Sequence, residues 1–279
     1  MQTVIEVTGV NGDVVVLSGD HVGVDGMWLA SELEGFYDPE ISVNSRSVSN
    51  RPGTQYISHR VLERRVIFKV TIANDDGPGN TWRERDARWR KLWSYDRYTD
   101  VRVVTDEGER TLKARLEEIE VDTNIDPHVQ SATDVIMTIV ADDPFWYAPD
   151  ETFNVTVNRT ATIPVLIANP TSNPIFPVWV LEAPGEWEIP DWSPEEPGKS
   201  VRLPEIRGSS HLVVDTDPMA RQLISAAGDP VWARMNGVRF RNAIPGYTRE
   251  LDLEVSVDAS GPRDVQLRLK RPFNRPWGA

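Results

Sequence analysis

Apolar residues alternate with polar ones over short stretches along most of the chain, and turn residues interrupt the alternation every few positions. Successive side chains of a strand point to opposite faces, so this period predicts strands. Val4–Val7 and Val14–Leu17 flank Asn11-Gly12-Asp13, a hairpin signal. Gly23-Val24-Asp25-Gly26 breaks the chain before Met27-Trp28-Leu29-Ala30. From Asp38 to Arg60 apolar residues are sparse, and Arg51-Pro52-Gly53 is a turn. That segment is expected to be a long loop or arm, and an ordered loop of this length is usually functional.

Arg64–Ala73 is the clearest strand, with Val66, Phe68, Val70 and Ile72 on one face. Residues Asn74–Asn80 end it. One helix is then expected over about 82–95. Thr81 and Glu84 make a capping-box pattern at its start. Trp82, Trp89 and Trp93 share one stripe, Leu92 lies beside it, and Arg83, Arg85, Arg88 and Arg90 lie mostly off it. Val101–Val104 reads as a short strand. Thr111–Asp122 fits two patterns. Leu112, Leu116 and Ile119 suit a helix; Leu112, Ala114, Leu116, then Ile119 and Val121 suit a strand whose phase shifts once, as at a β-bulge. The strand is taken. Asp134–Ala141 is a further strand, apolar on both faces.

Asp142–Asp150, with two prolines and three aromatics, reads as a stiff junction between domains 1–149 and 150–279. Beyond it only short β-like runs occur: Phe153–Val157, Thr162–Ile167, Phe176–Leu181, Leu212–Thr216, Val231–Met235 and Gly237–Phe240. Glu186–Lys199, with Pro190, Pro194 and Pro197, is expected to be a loop. Two alternating strands close the chain, Arg249–Val257 and Asp264–Lys270. Their apolar faces match, so they are expected to pair as a hairpin through Asp258–Arg263, with Glu250, Asp252 and Glu254 facing Arg268 and Lys270. The fold class is mainly β, and the second half suits a sandwich or jelly roll.

The chain has 279 residues, enough for about two domains. No stretch approaches the roughly 20 apolar residues that span a bilayer. The start, Met1-Gln2-Thr3-Val4-Ile5-Glu6, has neither the basic nor the apolar region of a signal peptide. There is no cysteine, which excludes disulfides and thiolate chemistry and suits synthesis in a host cytoplasm. Net charge is −13, which argues against gripping nucleic-acid phosphates. The acidity is uneven: residues 1–149 hold 16 Lys/Arg against 26 Asp/Glu, and residues 150–279 hold 14 against 17.

Catalytic and metal-binding patterns are weak. His21, His59, His128 and His211 show no helical metal spacing. No nucleophile elbow or phosphate-binding loop occurs. Asp75-Asp76, Asp142-Asp143 and Glu195-Glu196 suit solvated turns better than a catalytic dyad, and Asp215 and Asp217 lack a surrounding calcium loop. The helix arginines are offset by Glu84 and Asp86, so a solvated face or an ion-paired contact is preferred to nucleic-acid binding. Trp187 and Trp192, in the proline-rich segment, suit either an interface or a sugar-stacking loop. No catalytic, cofactor-binding or metal-binding residue is assigned, and no cofactor is expected.

The order of several short motifs resembles the distal tail proteins of siphophages, above all the minor tail proteins of phages infecting actinobacteria. The motifs are Asp25-Gly26-Met27-Trp28-Leu29 with Gly35 and Asp38-Pro39; the strand Arg64–Ala73 before the tryptophan helix; Asp142-Asp143-Pro144-Phe145-Trp146-Tyr147; Asn169-Pro170-Thr171 with Asn173-Pro174 and Phe176-Pro177; Asn236-Gly237 and Ile244-Pro245-Gly246; and Arg271-Pro272-Phe273-Asn274-Arg275-Pro276-Trp277-Gly278. The resemblance covers nearly the whole chain, apart from the insertion Glu186–Lys199. It implies an N-terminal β domain (a sheet or split barrel with one helix) that builds a six-fold ring, and a C-terminal galectin-like or jelly-roll sandwich. It implies no enzymatic activity. The implied partners are further copies of the chain (a homo-hexamer), the tail tube protein and the tail-tip hub or lysin-like protein, with the tape measure protein as a further candidate. The implied location is the virion tail tip. A carbohydrate-binding module for host attachment is the alternative, and a glycosidase rests on acidic residues alone. The acidity of residues 1–149 further suggests an acidic channel wall past which DNA slides, or else simply solubility.

Overall fold

The computed structural model describes residues 3–278 except 48, 50–51, 75–80, 123–125, 166–168, 209, 221 and 227–230. The turn expected at residues 75–80 and the end of the run expected at Thr162–Ile167 lie outside the described residues. The chain divides into two compact units, Met1–Ala148 with Phe273–Gly278, and Pro149–Pro272. The final segment, expected with the second half, thus belongs to the first.

The first unit begins with a hairpin, β1 (Val4–Thr8) and β2 (Val14–Ser18), followed by β3 (Met27–Glu34). Next come β4 (Ile41–Ser47), β5 (Thr54–Val61) and β6 (Arg64–Ala73). Helix α1 (Trp82–Lys91) precedes β7 (Thr99–Thr105) and β8 (Gly108–Val121). The one-turn α2 (Pro127–Gln130), β9 (Ala132–Ala141) and the start of β10 (Trp146–Val157) complete it.

Among the described residues the strands of this unit pair antiparallel. One run is β2–β1–β7–β8, the other β8–β9–β6–β3. The long β8 belongs to both: Gly108–Ala114 pairs with β7, and Arg115–Val121 with β9. Between them the register slips, because Leu116 faces Ile139 while Glu118 faces Thr138. Glu117 is the extra residue, so the phase shift in the sequence is a β-bulge. Leu112, Ala114 and Leu116 face the core before it, and Ile119 does after it.

Helix α1 starts as its sequence dictates, with both halves of the capping box formed between Thr81 and Glu84. It stops at Lys91, with Leu92 as its cap, earlier than expected, and Trp93 packs from just beyond its end. Trp89 is fully buried, edge-on to Trp93 (centroids 5.4 Å) and to Phe68 of β6 (6.5 Å). Its N–H points at Met137 Sδ, 3.3 Å away. Burying one such ring stabilises the unit by about 3 kcal/mol.

Strand pairing lapses over residues 142–145, and β10 then runs unbroken through Ala148 and Pro149. The stiff junction is therefore partly a strand rather than a proline linker.

The second unit holds the remaining strands: β11 (Thr160–Val165), β12 (Val178–Leu181), β13 (Glu186–Pro190), β14 (Ser200–Arg202), β15 (Leu212–Asp215), β16 (Leu223–Ser225), β17 (Leu251–Asp258) and most of β18 (Arg263–Phe273). They form two layers, β16–β15–β12–β18–β10 and β11–β17–β13–β14, around one core that includes Trp179, Trp187, Leu253, Val255, Val265 and Leu267.

The closing strands do not pair as a hairpin: β17 lies between β11 and β13, while β18 pairs with β12 in the other layer. Their matching apolar faces meet across the core, not side by side. The proline-rich segment is not all loop, since Glu186–Pro190 pairs with β14 and β17, and Pro190 stands at the strand's end, where a missing N–H is tolerated. Val231–Met235 is a 3-10 helix, and Gly237–Phe240 has no regular structure.

Candidate assembly interface

The residues that carry most chemistry in the sequence are dispersed. His21 sits in an exposed turn at φ 71°, His211 is exposed, and His59 bonds Tyr56 Oη through Nδ1 at 2.5 Å. His128 falls in α2. Asp75-Asp76 lies outside the described residues. Asp142 accepts from Arg115 (3.0 Å) and Tyr98 (2.7 Å), and the Arg115 guanidinium holds its carboxyl below the usual range. Asp143 accepts from the Tyr147 hydroxyl, and Glu196 pairs with Lys199 (2.9 Å). Asp215 and Asp217 accept backbone N–H groups in a turn. Among the described residues no three His, Asp or Glu side chains gather as metal ligands.

The helix arginines are mostly tied within the chain. Arg88 bridges Asp13 (2.6 Å) and Asp25 (2.5 Å), and Arg90 pairs with Asp86. Arg85, expected on the solvent side, is buried and donates to the Ala73 carbonyl at 2.7 Å. Trp187 is fully buried with its N–H on the Glu182 carbonyl, so it offers no sugar-stacking surface. Trp192 is half-buried at the edge of the same core.

Two polar nodes draw the short sequence motifs together. In the first unit Arg64 is 1% exposed. Its guanidinium donates to the carbonyls of Pro144 (2.7 Å), Gly35 (2.9 Å), Phe36 (3.1 Å), Tyr37 (3.2 Å) and Asn274 (2.6 Å). Burial pulls its pKa down to about 10, which leaves it charged at neutral pH. Phe36, Tyr37, Trp146 and Trp277 pack edge-on around it, and Arg275 pairs with Asp38 (2.7 Å). Gly35 holds a left-handed φ of 68°, and any Cβ there would lie 1.9 Å from the Arg65 carbonyl oxygen. In the second unit, buried Asn169 donates to the carbonyls of Asn173, Ile244 and Pro245 while accepting from Thr171. Period-2 alternation puts Arg64 on the face of Val66 and Phe68, but the sequence does not show the carbonyls that surround it.

The Arg64 node fixes the root of the segment that follows Asp38. That segment is an arm, and it is a hairpin, not a loop. Among the described residues β4 and β5 pair only with each other, closed by a bond from Leu62 N–H to the Glu40 carbonyl. At the usual rise per residue it is about 25 Å long. Ile57 is an extra residue in its register. One face carries Ile41 opposite Val61, Val43 opposite His59, and Ser45 opposite Tyr56. The other carries Ser42 opposite Arg60 and Arg46 opposite Gln55. Ile41, Val43, Tyr56 and Ile57 are each 51–60% exposed. Residues 41–62 include three arginines and no carboxylate, against the acidity of the rest of the half. The arm therefore has an apolar face, a basic face and two free edges.

No family model matches the chain. It is 34% identical to the minor tail protein Gp27 of Mycobacterium phage L5, over 99% of this chain and 98% of that one. It is 33% identical to the Gp27 protein of Mycobacterium phage D29, with the same coverage. Among solved structures, the SPP1 Dit (gp 19.1) protein, a hub of an adsorption apparatus, matches with a TM-score of 0.65 at 15% identity, covering 96% of this chain and 98% of that chain. A chain of the phage P2 baseplate matches with a TM-score of 0.54 at 8% identity, over 97% of each. The fold is thus Dit-like and mainly β, and the near full-length identity places this chain in the Gp27 family of phage minor tail proteins.

Proposed function

We propose that six copies of this chain close a ring at the distal end of a long non-contractile tail, joining the tail tube to the tip complex and leaving a channel for DNA. The arm carries this reading. An isolated two-stranded hairpin is marginal in water, and one with an exposed apolar face gains stability when a neighbour covers it. A heterologous contact repeated about an axis gives a ring when its rotation closes. The relatives' names, minor tail proteins and an adsorption hub, support the same location. The partners are other copies of the chain, the tail tube protein and the tip hub or lysin-like protein, with the tape measure protein beside them. The protein is made in the host cytoplasm and ends in the virion. Its role is geometric: Asp13, Asp25, Asp142 and Glu196 serve ion pairs, and Asp215 and Asp217 a turn. Reconstruction of the intact tail tests this: six copies around the axis are expected, and one or three copies would overturn it.

One observation favours carbohydrate binding as a second reading. A groove of ≈ 550 Å³ on the β13–β17 layer is lined by Trp192, Glu188, Asp252, Glu254 and Lys199. An aromatic ring beside hydrogen-bonding side chains suits a sugar. A glycan array probed with the full chain discriminates: no retained glycan removes this reading.

A further inference from the structure

The far half of β8 is the chemical complement of the arm. Beyond the bulge, Glu118–Val121 pairs with β9 on one edge, while β7 has already ended opposite Ala114. Among the described residues no strand occupies the other edge of this stretch. Residues 116–134 carry six carboxylates and no lysine or arginine. The alternation of β8 puts Ile119 on the core side, with Val121 beside it and 42% exposed. Glu118 and Glu120 are exposed on the outer side. Neither glutamate, nor Arg46 or Arg60 of the arm, has an ion-pair partner among the described residues.

We infer that the arm of one copy adds to the free β8 edge of the next copy as extra strands of its sheet. The inference rests on the ring reading and names the surface that receives the arm. Edge addition satisfies backbone N–H and C=O groups that otherwise face water, and the side chains on each face decide the partner. Both faces match. Ile41, Val43 and Tyr56 continue the Ile119–Val121 side, and Arg46 and Arg60 continue the side of Glu118 and Glu120. A row of arginines on the arm and glutamates on the edge also disfavours arm-to-arm and edge-to-edge pairing, since like charges would then stand opposite one another.

The test is a charge exchange, read in phage whose own copy of the gene is deleted and supplied in trans. Arg46→Glu with Arg60→Glu, and separately Glu118→Arg with Glu120→Arg, should each lower the yield of infectious particles by about tenfold or more, as reversal of facing charges does across interfaces. All four exchanges together should restore most of that yield. These side chains are exposed, and circular dichroism of each purified variant checks that folding is intact. A second measurement uses the absence of cysteine. Glu120→Cys combined with Arg60→Cys or with Arg46→Cys should, on oxidation of assembled tails, give a ladder of linked chains in at least one pairing. Inert exchanges, or a fourfold variant no better than either double, overturn the inference, as does a ladder missing from both pairings. If the tail still shows six copies, only the arm's receiving surface is wrong; if it does not, the ring reading falls as well.

Discussion

Arg64→Met keeps roughly the volume of the side chain but removes every donor at the root of the arm. Five carbonyls then lose a partner: those of residues 35, 36, 37, 144 and 274. A hydrogen bond from a charged donor contributes about 1.5–3 kcal/mol, so simple addition would give about 7–15 kcal/mol. That sum is too large. Four of the five bonds are only part-buried, so water replaces some of them. Removing the guanidinium also relieves a desolvation penalty of several kcal/mol, visible in the depressed pKa. The expected net loss is about 3–5 kcal/mol, set by the carbonyls that stay buried without a donor at about 1–3 kcal/mol each. For a unit of this size it lowers Tm by on the order of 10 °C. Arg64→Lys should recover less than half, because an ammonium has three donors and no planar fork. Arg275→Ala serves as the contrast. It removes an exposed pair with Asp38, and its effect should stay below about 1 kcal/mol. Urea unfolding of the full chain, followed by tryptophan fluorescence, measures all three. If Arg64→Met matched Arg275→Ala, the claim that this residue holds the arm's root would fail.

Two further outcomes follow from the charges. The Arg88 hydrogen bond to Asp13 holds that carboxyl below its ordinary value of 3.8. A depressed folded pKa means the stabilisation is present above the unfolded value and is lost as pH falls through the folded one. Asp13→Asn should therefore flatten the acid limb of a stability–pH curve below about pH 4, by less than about 1 kcal/mol because the pair is a third exposed. An unchanged acid limb would remove this linkage. If the proposed ring forms, its channel wall should be acidic and supplied mainly by residues 1–149, so that DNA passes without salt-sensitive adhesion. A reconstructed lumen that is neutral or lined by Arg83 and Arg90, with the carboxylates outside, would leave solubility as the reason for the charge.

Strand faces were legible wherever one side of the chain meets a core. The bulge in β8 was legible once Leu112, Ala114 and Leu116 were taken as strand and not helix, because Ile119 must then return to the core after the slip. What period-2 alternation does not say is which strand lies alongside. β17 and β18 carry equally regular faces, and both point to the same interior from opposite layers. The arm was harder for the opposite reason. A hairpin that buries little within its own chain has too few apolar positions to reveal its strands, so it read as a long loop or arm. Val231–Met235 is too short for periodicity to separate a strand from a tight helical turn. As for the assembly surface, the chain showed that a long arm existed and that acidity was concentrated in its half. Alternation set Arg64 on the core face with Val66, but it could not show the carbonyls that meet it there, since they come from residues 35–37, 144 and 274.

The return of Phe273–Gly278 to the first unit has a consequence for the timing of biosynthesis. Arg64 bonds Asn274, and Arg110 donates to the Arg275 carbonyl at 2.8 Å while lying over the Phe273 ring at 3.5 Å. The first unit therefore lacks a piece of its own interior until all of residues 149–272 have been translated. A nascent chain halted anywhere in that stretch presents an arm whose root is unfinished. The arm itself is made early, but the carbonyl of Asn274 that completes the Arg64 socket at its root is among the last groups of the chain to be added.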